Sequence, residues 1–531
     1  MPIKFHEGSK TFHIYNKHLS YITCIMENGQ MENLYYGKAI RDKEDFSYLH
    51  EEIMRSLMAV CVPEPGLLSM QYTKQEYPVY GTGDFRNPAL TVRQENGSEI
   101  VDFKYVSHEI YGGKKKLAGL PATYTESDEE ATSLDITLHD SVMDTDLILT
   151  YSVYEDYPVI TRSARLVQKG DQKIRLENVM SAAVEFPDMD YEMIHLSGAW
   201  ARERYVKTRK LEMGTQAVQS LAGTGSSSEQ NPFIALKRPH TTEDTGEVFG
   251  FSFVYSGNFL AQVEVSTYEM TRVMMGINPQ GFSWELSRDE EFQTPEVVMV
   301  YSDKGLNGMS QAYHRLYRDR LMRGKWRNHA RPILLNNWEA TYFDFNEDKL
   351  VNIMDEAVAL GVDMFLLDDG WFANKYPRSS DHQGLGDWEE TVTKLPNGIG
   401  KLVKEATDRG IKFGLWIEPE MVNPKSELYE KHKDWVIHLP NRDEYYFRNQ
   451  MVLDLTNPKV QDYVYGVVDN LMTKYPGIAY FKWDCNSPIT NIYSPYLKDQ
   501  QSHLYIEYVR GLYNCLLYTS PSPRDRSVYR M

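Results

Sequence analysis

Phe413-Gly414-Leu415-Trp416-Ile417-Glu418-Pro419-Glu420 is a short apolar run that ends abruptly in carboxylates. Its length and its charged boundary suit a buried strand rather than a helix. Outward from it, the same texture recurs at Pro332–Asn336, Met364–Leu367 and Ile478–Trp483. Between these runs lie helical stripes. Leu350, Ile353, Ala357 and Leu360 share a face of Asn346–Leu360, with Gly361 as the stop signal. Leu402, Val403 and Ala406 precede a second stop at Gly410, and Val460, Val464, Val467 and Leu471 form a third stripe. Buried strands alternating with amphipathic helices predict a parallel α/β sheet. Long segments after the strands, and a β-rich region before them, favour a (β/α)8 (TIM) barrel over a doubly wound sheet.

In such a barrel the reactive groups stand at the C-terminal ends of the strands. Those ends read Asn337-Trp338-Glu339, Asp368-Asp369-Gly370-Trp371, Trp416 to Glu420, Arg448-Asn449 ahead of Asp454, and Lys482-Trp483-Asp484-Cys485-Asn486. Five successive ends with carboxylates, most with a tryptophan, are more than a solvated rim requires. Upstream, residues 10–300 have β texture: Leu147–Tyr154, Ile160–Val167, Phe249–Ser256, Phe259–Val265 and Pro295–Tyr301 are short runs cut by turn residues. Phe251, Phe253 and Tyr255 point one way, and Ser256-Gly257-Asn258 predicts a tight hairpin. This spells a large β-sandwich. Gly308–Leu321, with Tyr313, Leu316 and Tyr317 on one face, predicts a bridging helix, and Ala222–Ser228 a surface loop. The expected organisation is a β-sandwich over residues 1–302, a helical connector over 303–330, and a catalytic barrel over 331–514.

The chain has 531 residues, too many for one core, and its 57 Lys and Arg against 75 Asp and Glu give a net charge of −18. Such an acidic chain with scattered basic residues is a poor binder of nucleic acid or anionic membrane and suits a neutral small substrate. No apolar run is long enough to span a bilayer, and the first residues lack a signal-peptide core. Cys24, Cys61, Cys485 and Cys515 are isolated, without metal-ligand spacing, which fits a reduced cytoplasmic compartment.

Carboxylates beside tryptophans, without a metal-ligand cluster, describe a carbohydrate site needing no cofactor: aromatic faces stack on sugar C–H surfaces and Asp or Glu accept hydroxyl hydrogen bonds. Glycoside cleavage adds a nucleophile or base and an acid. Rival chemistries find little support. His50-Glu51-Glu52-Ile53-Met54 lacks the second histidine of a zinc protease helix, no G-x-S-x-G elbow is present, and Gly81-Thr82-Gly83 misses the third glycine of a dinucleotide loop.

The chain resembles the glycoside hydrolase family 36 α-galactosidases of the bacterial multidomain kind. The matching stretches are Gln75-Glu76-Tyr77-Pro78 with Gly83-Asp84-Phe85-Arg86, Gly198-Ala199-Trp200 with Arg202-Glu203-Arg204, Phe251–Ala261, Asn337-Trp338-Glu339-Ala340, Leu367 to Phe372, Gly414–Met421, Arg448-Asn449-Gln450, and Lys482-Trp483-Asp484 with Asn486. The resemblance implies a retaining mechanism through a covalent galactosyl-enzyme with Asp484 as nucleophile. Lys482, two residues earlier on a strand, shares the Asp484 face, where an ammonium favours the ionised nucleophile. Asp368 and Asp369 match the pair that holds the galactose hydroxyls. Trp416, Arg448, Lys482, Trp483, Cys485 and Asn486 fall on further sugar contacts. Trp338 and Trp371 are placed more loosely, and core positions suit them equally. Trp200 matches a loop residue that reaches a neighbouring subunit in oligomeric members, which implies a homo-oligomer such as a tetramer. Glu418 and Glu420 match structural positions, although on carboxylate chemistry alone either serves as a second catalytic group. Asp454 reads as a buried network residue.

The resemblance also implies an acid/base aspartate in a Ser-Asp-x-x-Asp stretch after the nucleophile, preceded by a Cys-Ser-Gly-Gly-Gly-Gly segment. Only 47 residues follow Asp484, and neither stretch is among them. Cys515-Leu516-Leu517-Tyr518-Thr519-Ser520-Pro521-Ser522-Pro523-Arg524-Asp525 resembles a translated sequencing adapter, so residues 515–531 are expected to be a non-native tail on a barrel incomplete at its C-terminal side. The activity implied is hydrolysis of terminal α-D-galactosyl residues, as in melibiose and raffinose, with this chain a fragment inactive alone. Alternatives are a raffinose-synthase-like galactosyltransferase, an α-N-acetylgalactosaminidase and a non-catalytic galactoside-binding protein. Reading on past codon 514 separates enzyme from binder.

Overall fold

The apolar runs become strands nearly as the sequence places them, in a computed structural model that describes residues 2–51, 68–224 and 229–518. Two compact units result, residues 1–221 with 226–322, and residues 222–225 with 323–530. The first unit is built of sheets: among the described residues, four, six and ten strands respectively. Its named ladders are antiparallel, as in Thr145–Tyr154 against Val159–Gln168, where Leu147 faces Leu166 and Leu149 faces Ala164. All four of those side chains are buried. Burial of such apolar side chains is the main stabilising term.

The expected tight hairpin at Ser256-Gly257-Asn258 does not form. Val248–Val254 pairs with Gln230–Lys237 and Glu296–Ser302, whereas Phe259–Val265 pairs with Gly214–Ser220 and Thr271–Ile277. The break carries the chain from the ten-stranded sheet to the six-stranded one. Phe251, Phe253 and Tyr255 are all buried, as the alternation predicts. Local turn chemistry signals a reversal but not which sheet receives the next strand.

The bridging helix spans Gly305–Arg320 and belongs to the first unit. Met309, Ala312, Tyr313 and Leu316 are buried with Val248, Val298 and Val300. Tyr313 Oη donates to the Val298 carbonyl at 3.0 Å, which satisfies a hydroxyl that burial would otherwise make costly. Cys61 lies outside the described residues, as do 225–228 of the expected loop.

In the second unit four strands lie parallel in chain order: β1 (Leu334–Asn336), β2 (Met364–Leu367), β3 (Lys412–Ile417) and β4 (Ile478–Trp483). Leu335 pairs with Phe365, Phe365 with Phe413, and Trp416 with Lys482. The connecting helices are α1 (Glu347–Ala359), α2 (Gly398–Asp408) and α3 (Pro458–Lys474), and α4 (Leu504–Tyr518) follows β4. Asn346 caps α1 by accepting from Lys349 N at 2.9 Å. Asn457 caps α3, with Pro458 at the first turn, where its missing N–H costs nothing. Leu350 and Ala357 of the α1 stripe are buried with Met354, but Leu360 is 78% exposed. It lies beyond the last turn, where Gly361 (φ 78°) bends the chain away. The α3 stripe is buried throughout. Arg448-Asn449 does not follow a strand of the parallel sheet: it precedes Met451–Val452, which pairs antiparallel with Met421–Val422. α4 runs past residue 514 and buries Cys515; residues 519–531 lie outside the described residues.

Candidate active site

Parallel pairing puts the ends of β2, β3 and β4 side by side, and the carboxylates of the three ends converge. Asp484 leaves β4 with its N–H on the Ile417 carbonyl at 2.8 Å, an extension of the β3–β4 ladder. Its Oδ2 accepts from Trp416 Nε1 at 3.0 Å and Asn486 Nδ2 at 2.8 Å, and its Oδ1 from Cys485 N at 3.2 Å. Lys482 Nζ lies 3.9 Å from Oδ2. Three N–H donors and an ammonium thus face one carboxylate whose side chain is still 30% exposed, so a small molecule can reach it. Lys482 Nζ also donates to Asp368 Oδ2 at 2.9 Å, which ties the ends of β2 and β4 together.

The two aspartates after β2 have different surroundings. Asp368 Oδ2 accepts from Lys482 and from Asn336 Nδ2, and its Oδ1 takes the Asp369 N–H at 2.8 Å. Asp369 is held in a buried fork by Arg378, whose Nε and Nη2 reach Oδ1 and Oδ2 at 2.9 and 2.8 Å. Arg378 Nη1 is anchored in turn on Asn423 Oδ1 at 2.9 Å and the Gln383 carbonyl at 3.1 Å. Bidentate guanidinium–carboxylate pairing fixes orientation as well as charge.

Asp484, Trp416, Lys482, Asp368 and Asn486 are thus joined by direct contacts, and Asp369 through its neighbour's carboxylate. Trp416 is 1% exposed and lies parallel to Phe372 at 6.1 Å, a wall that donates to Asp484 through its edge. Trp483 Nε1 donates instead to Glu420 Oε1 at 2.8 Å, and Tyr508 Oη donates to Glu420 Oε2 at 2.7 Å, so Glu420 is a fully partnered buried anchor. Its carboxyl is pushed above the ordinary range by burial. Cys485 Sγ contacts Thr224 Oγ1 at 3.4 Å, and burial pushes its thiol far up, leaving a protonated, unreactive group. Trp338 is half-buried, edge-on to Phe343 at 5.0 Å. Trp371 is fully buried and donates to the Trp416 carbonyl at 2.9 Å, a core position. Asp454 accepts from Thr456 and Ser494 hydroxyls inside the protein, a buried network as expected. Trp200, in the first unit, sits at the turn between Glu192–Ala199 and Arg202–Lys210 and is 87% exposed.

Arg448 and Asn449 both take left-handed backbone conformations, φ 52° and 59°, held by Asn423 Nδ2 donating to the Asn449 carbonyl at 2.7 Å. Two such residues in succession store strain of a kind that collects at working sites. Sequence reasoning did not find Arg378 or Asn336 as parts of this cluster, nor Gln450, whose Nε2 donates to the buried Glu418 Oε2 at 2.9 Å behind Asn486. Arg378 stands nine residues past Asp369 in an irregular loop, where no periodicity marks it; Asn336, the last residue of β1, carried the strand-end signal. Among the described residues no three His, Cys, Asp or Glu side chains group as metal ligands. No described helix is long and apolar enough to cross a membrane.

Carboxylates, an ammonium and an indole gathered at the C-terminal ends of parallel strands define a carbohydrate-cleaving class of site. Family models agree: residues 29–287 match the glycosyl hydrolase family 36 N-terminal domain, and residues 291–522 match melibiase. The chain is 48% identical over 517 residues to α-galactosidase AgaA of Geobacillus stearothermophilus, covering 97% of this chain and 70% of that one. It is 41% identical over 526 residues to α-galactosidase Mel36A of Lactobacillus acidophilus, with the same two coverages. The crystal structure of AgaB from Geobacillus stearothermophilus superposes with a TM-score of 0.93 at 48% identity, over 97% of this chain and 70% of that one. A variant of AgaA in complex with raffinose gives 0.93 at 48% identity, over 96% and 70%. The chain belongs to glycoside hydrolase family 36, as an enzyme of the α-galactosidase class.

Proposed function

We propose that the chain hydrolyses terminal non-reducing α-D-galactosyl residues with retention, and that Asp484 is the nucleophile. The observation that carries this is the Asp484 carboxylate itself. It is partly open, faced by Lys482, and oriented by Trp416 and Asn486, so its direction is fixed while the group presents itself to solvent. Attack of a carboxylate on the anomeric carbon expels the leaving oxygen and forms a β-galactosyl ester; water then opens the ester and restores the α configuration. Lys482 and Asp368 would hold sugar hydroxyls beside it, with Asp369 kept in place by Arg378. Arg448, Trp338, Trp483, Cys485 and Asn486 complete the proposed substrate surface, Trp483 and Cys485 chiefly as its backing. Trp200 is proposed for a partner subunit's site in a homo-oligomer.

Variants of AgaA form crystalline complexes with raffinose and with stachyose, and a relative this similar supports melibiose- and raffinose-type galactosides as substrates here. The four parallel strands and their helices support a (β/α)8 barrel, and the sheets of the first unit a β-sandwich. A cytoplasmic location fits the same reading. The second carboxyl that protonates the leaving oxygen is not proposed among the buried Glu418 and Glu420, because each already has both oxygens hydrogen-bonded.

The test uses a dinitrophenyl α-galactoside, whose leaving group needs no proton. Asp484→Ala should abolish release of the phenol, and added azide should restore it with β-galactosyl azide as product. Undiminished hydrolysis by Asp484→Ala removes the assignment.

A further inference from the structure

Glu418, like Glu420, is a carboxyl of the β3 end that the proposed reaction leaves unused. It is fully buried, yet it forms no ion pair among the described residues. Its Oε1 accepts the Asn486 backbone N–H, and its Oε2 faces Gln450 Nε2 at 2.9 Å. Asn486 is also the residue whose side-chain amide holds Asp484 Oδ2. Glu418 therefore stands directly behind the group that orients the nucleophile. Its charged surroundings are mostly of its own sign. Asp484 from the β4 end and Asp369 from the β2 end press on it, Arg448 opposes them, and the Cys485 thiol beside it is neutral. Lys482 and Arg378 are engaged by Asp368 and Asp369 respectively.

Gln450 Oε1 is buried without a hydrogen-bond partner. Turning the amide over loses no hydrogen bond: Oε1 would then accept the O–H of a neutral Glu418 in place of Nε2 donating to an anion. An amide nitrogen and oxygen are assigned from their partners, so both arrangements fit the same shape. A buried carboxyl near other negative charges does not ionise as readily as one in water.

We propose that Glu418 is a positioning residue that stays protonated while Asp484 is the anion, and that as a neutral acid it holds the Asn486 backbone and Gln450 in place. The proposal rests on the reading of Asp484 as nucleophile. Burial, and then the Asp484 and Asp369 charges, push Glu418 up to about 8, in keeping with a neutral acid at working pH.

Two variants and one spectrum test it. Glu418→Gln mimics the neutral acid in shape and bonding. It should keep kcat on the aryl galactoside within a few-fold and leave the acid limb of the pH profile unchanged. Glu418→Leu removes both tethers and should lower kcat about a hundredfold with a smaller change in KM. Infrared difference titration of the whole chain from pH 5 to 9 should show a protonated-carboxyl band disappearing near pH 8, absent from Glu418→Gln. That band reads Glu418 whether or not Asp484 is the nucleophile, so the two assignments fail separately. Glu418→Gln as damaging as Glu418→Leu, or a spectrum in which Glu418→Gln removes no such band, overturns the proposal.

Discussion

Asp368 and Asp369 are adjacent in sequence and different in physics. Asp368 is buried but pairs with Lys482, whose side chain is a third exposed at the mouth of the site. Asp369 and Arg378 form an ion pair in which neither side chain is more than 2% exposed. Removing one partner of a hydrogen-bonded charge at a binding site costs about 1.5–3 kcal/mol, so Asp368→Asn should lower kcat/KM roughly ten- to a hundredfold at nearly unchanged Tm. Removing one member of a buried pair leaves the other uncompensated, at about 3–5 kcal/mol. Asp369→Asn should therefore lower Tm clearly as well as activity, which calorimetry on both variants checks. Equal Tm values for the two would contradict the distinction. The aspartates were legible from their place after a strand, but the arginine that separates their roles was not. Its loop has no period, and the contact arises only when the segments after β2 and β3 come together at Asn423.

At the scale of elements, the helical stripes were readable because 3.6-residue periodicity is imposed by burial itself. All of Val460, Val464, Val467 and Leu471 are buried in α3. The reading failed at ends and junctions. Leu360 continues the α1 period but lies past the helix, and Ser256-Gly257-Asn258 signals a turn whose strands join different sheets. Such outcomes depend on partners distant in sequence. Leu350→Ala, at a fully buried position, should cost about 2–5 kcal/mol through the cavity it leaves. Leu360→Ala should change stability by less than about 0.5 kcal/mol. Urea unfolding of both variants decides this, and comparable losses would put Leu360 in the core.

Over the whole molecule, the first unit depends on buried charge that composition does not reveal. Arg272 reaches Asp84 and Glu185 Oε1, the latter at 2.7 Å, while Arg86 spans the same two carboxylates. Glu76 accepts from Tyr21 at 2.7 Å and is paired with Arg162 at 2.7 Å, a second closed network. Burial alone would raise the Asp84 carboxyl, but Arg272 and Arg86 outweigh it and hold the group below its ordinary value. A depressed folded-state value means that its stabilisation is present above the ordinary carboxylate range, near pH 3.9, and is lost as pH falls through the folded value. The Tm gap between wild type and Asp84→Asn should therefore be wide at pH 6 and narrow steadily below pH 4. A gap independent of pH would mean that Asp84 is not held as a buried anion.

The central claim is that one carboxylate, Asp484, forms a covalent bond to galactose. An activated 5-fluoro-α-D-galactosyl fluoride forms its ester faster than the ester hydrolyses, so the intermediate accumulates and can be mapped by proteolysis and mass spectrometry. The account predicts a single fluorogalactosyl adduct on the peptide containing Asp484, absent from Asp484→Ala. A label on any other residue, or galactoside hydrolysis with inverted product and no label, would contradict it.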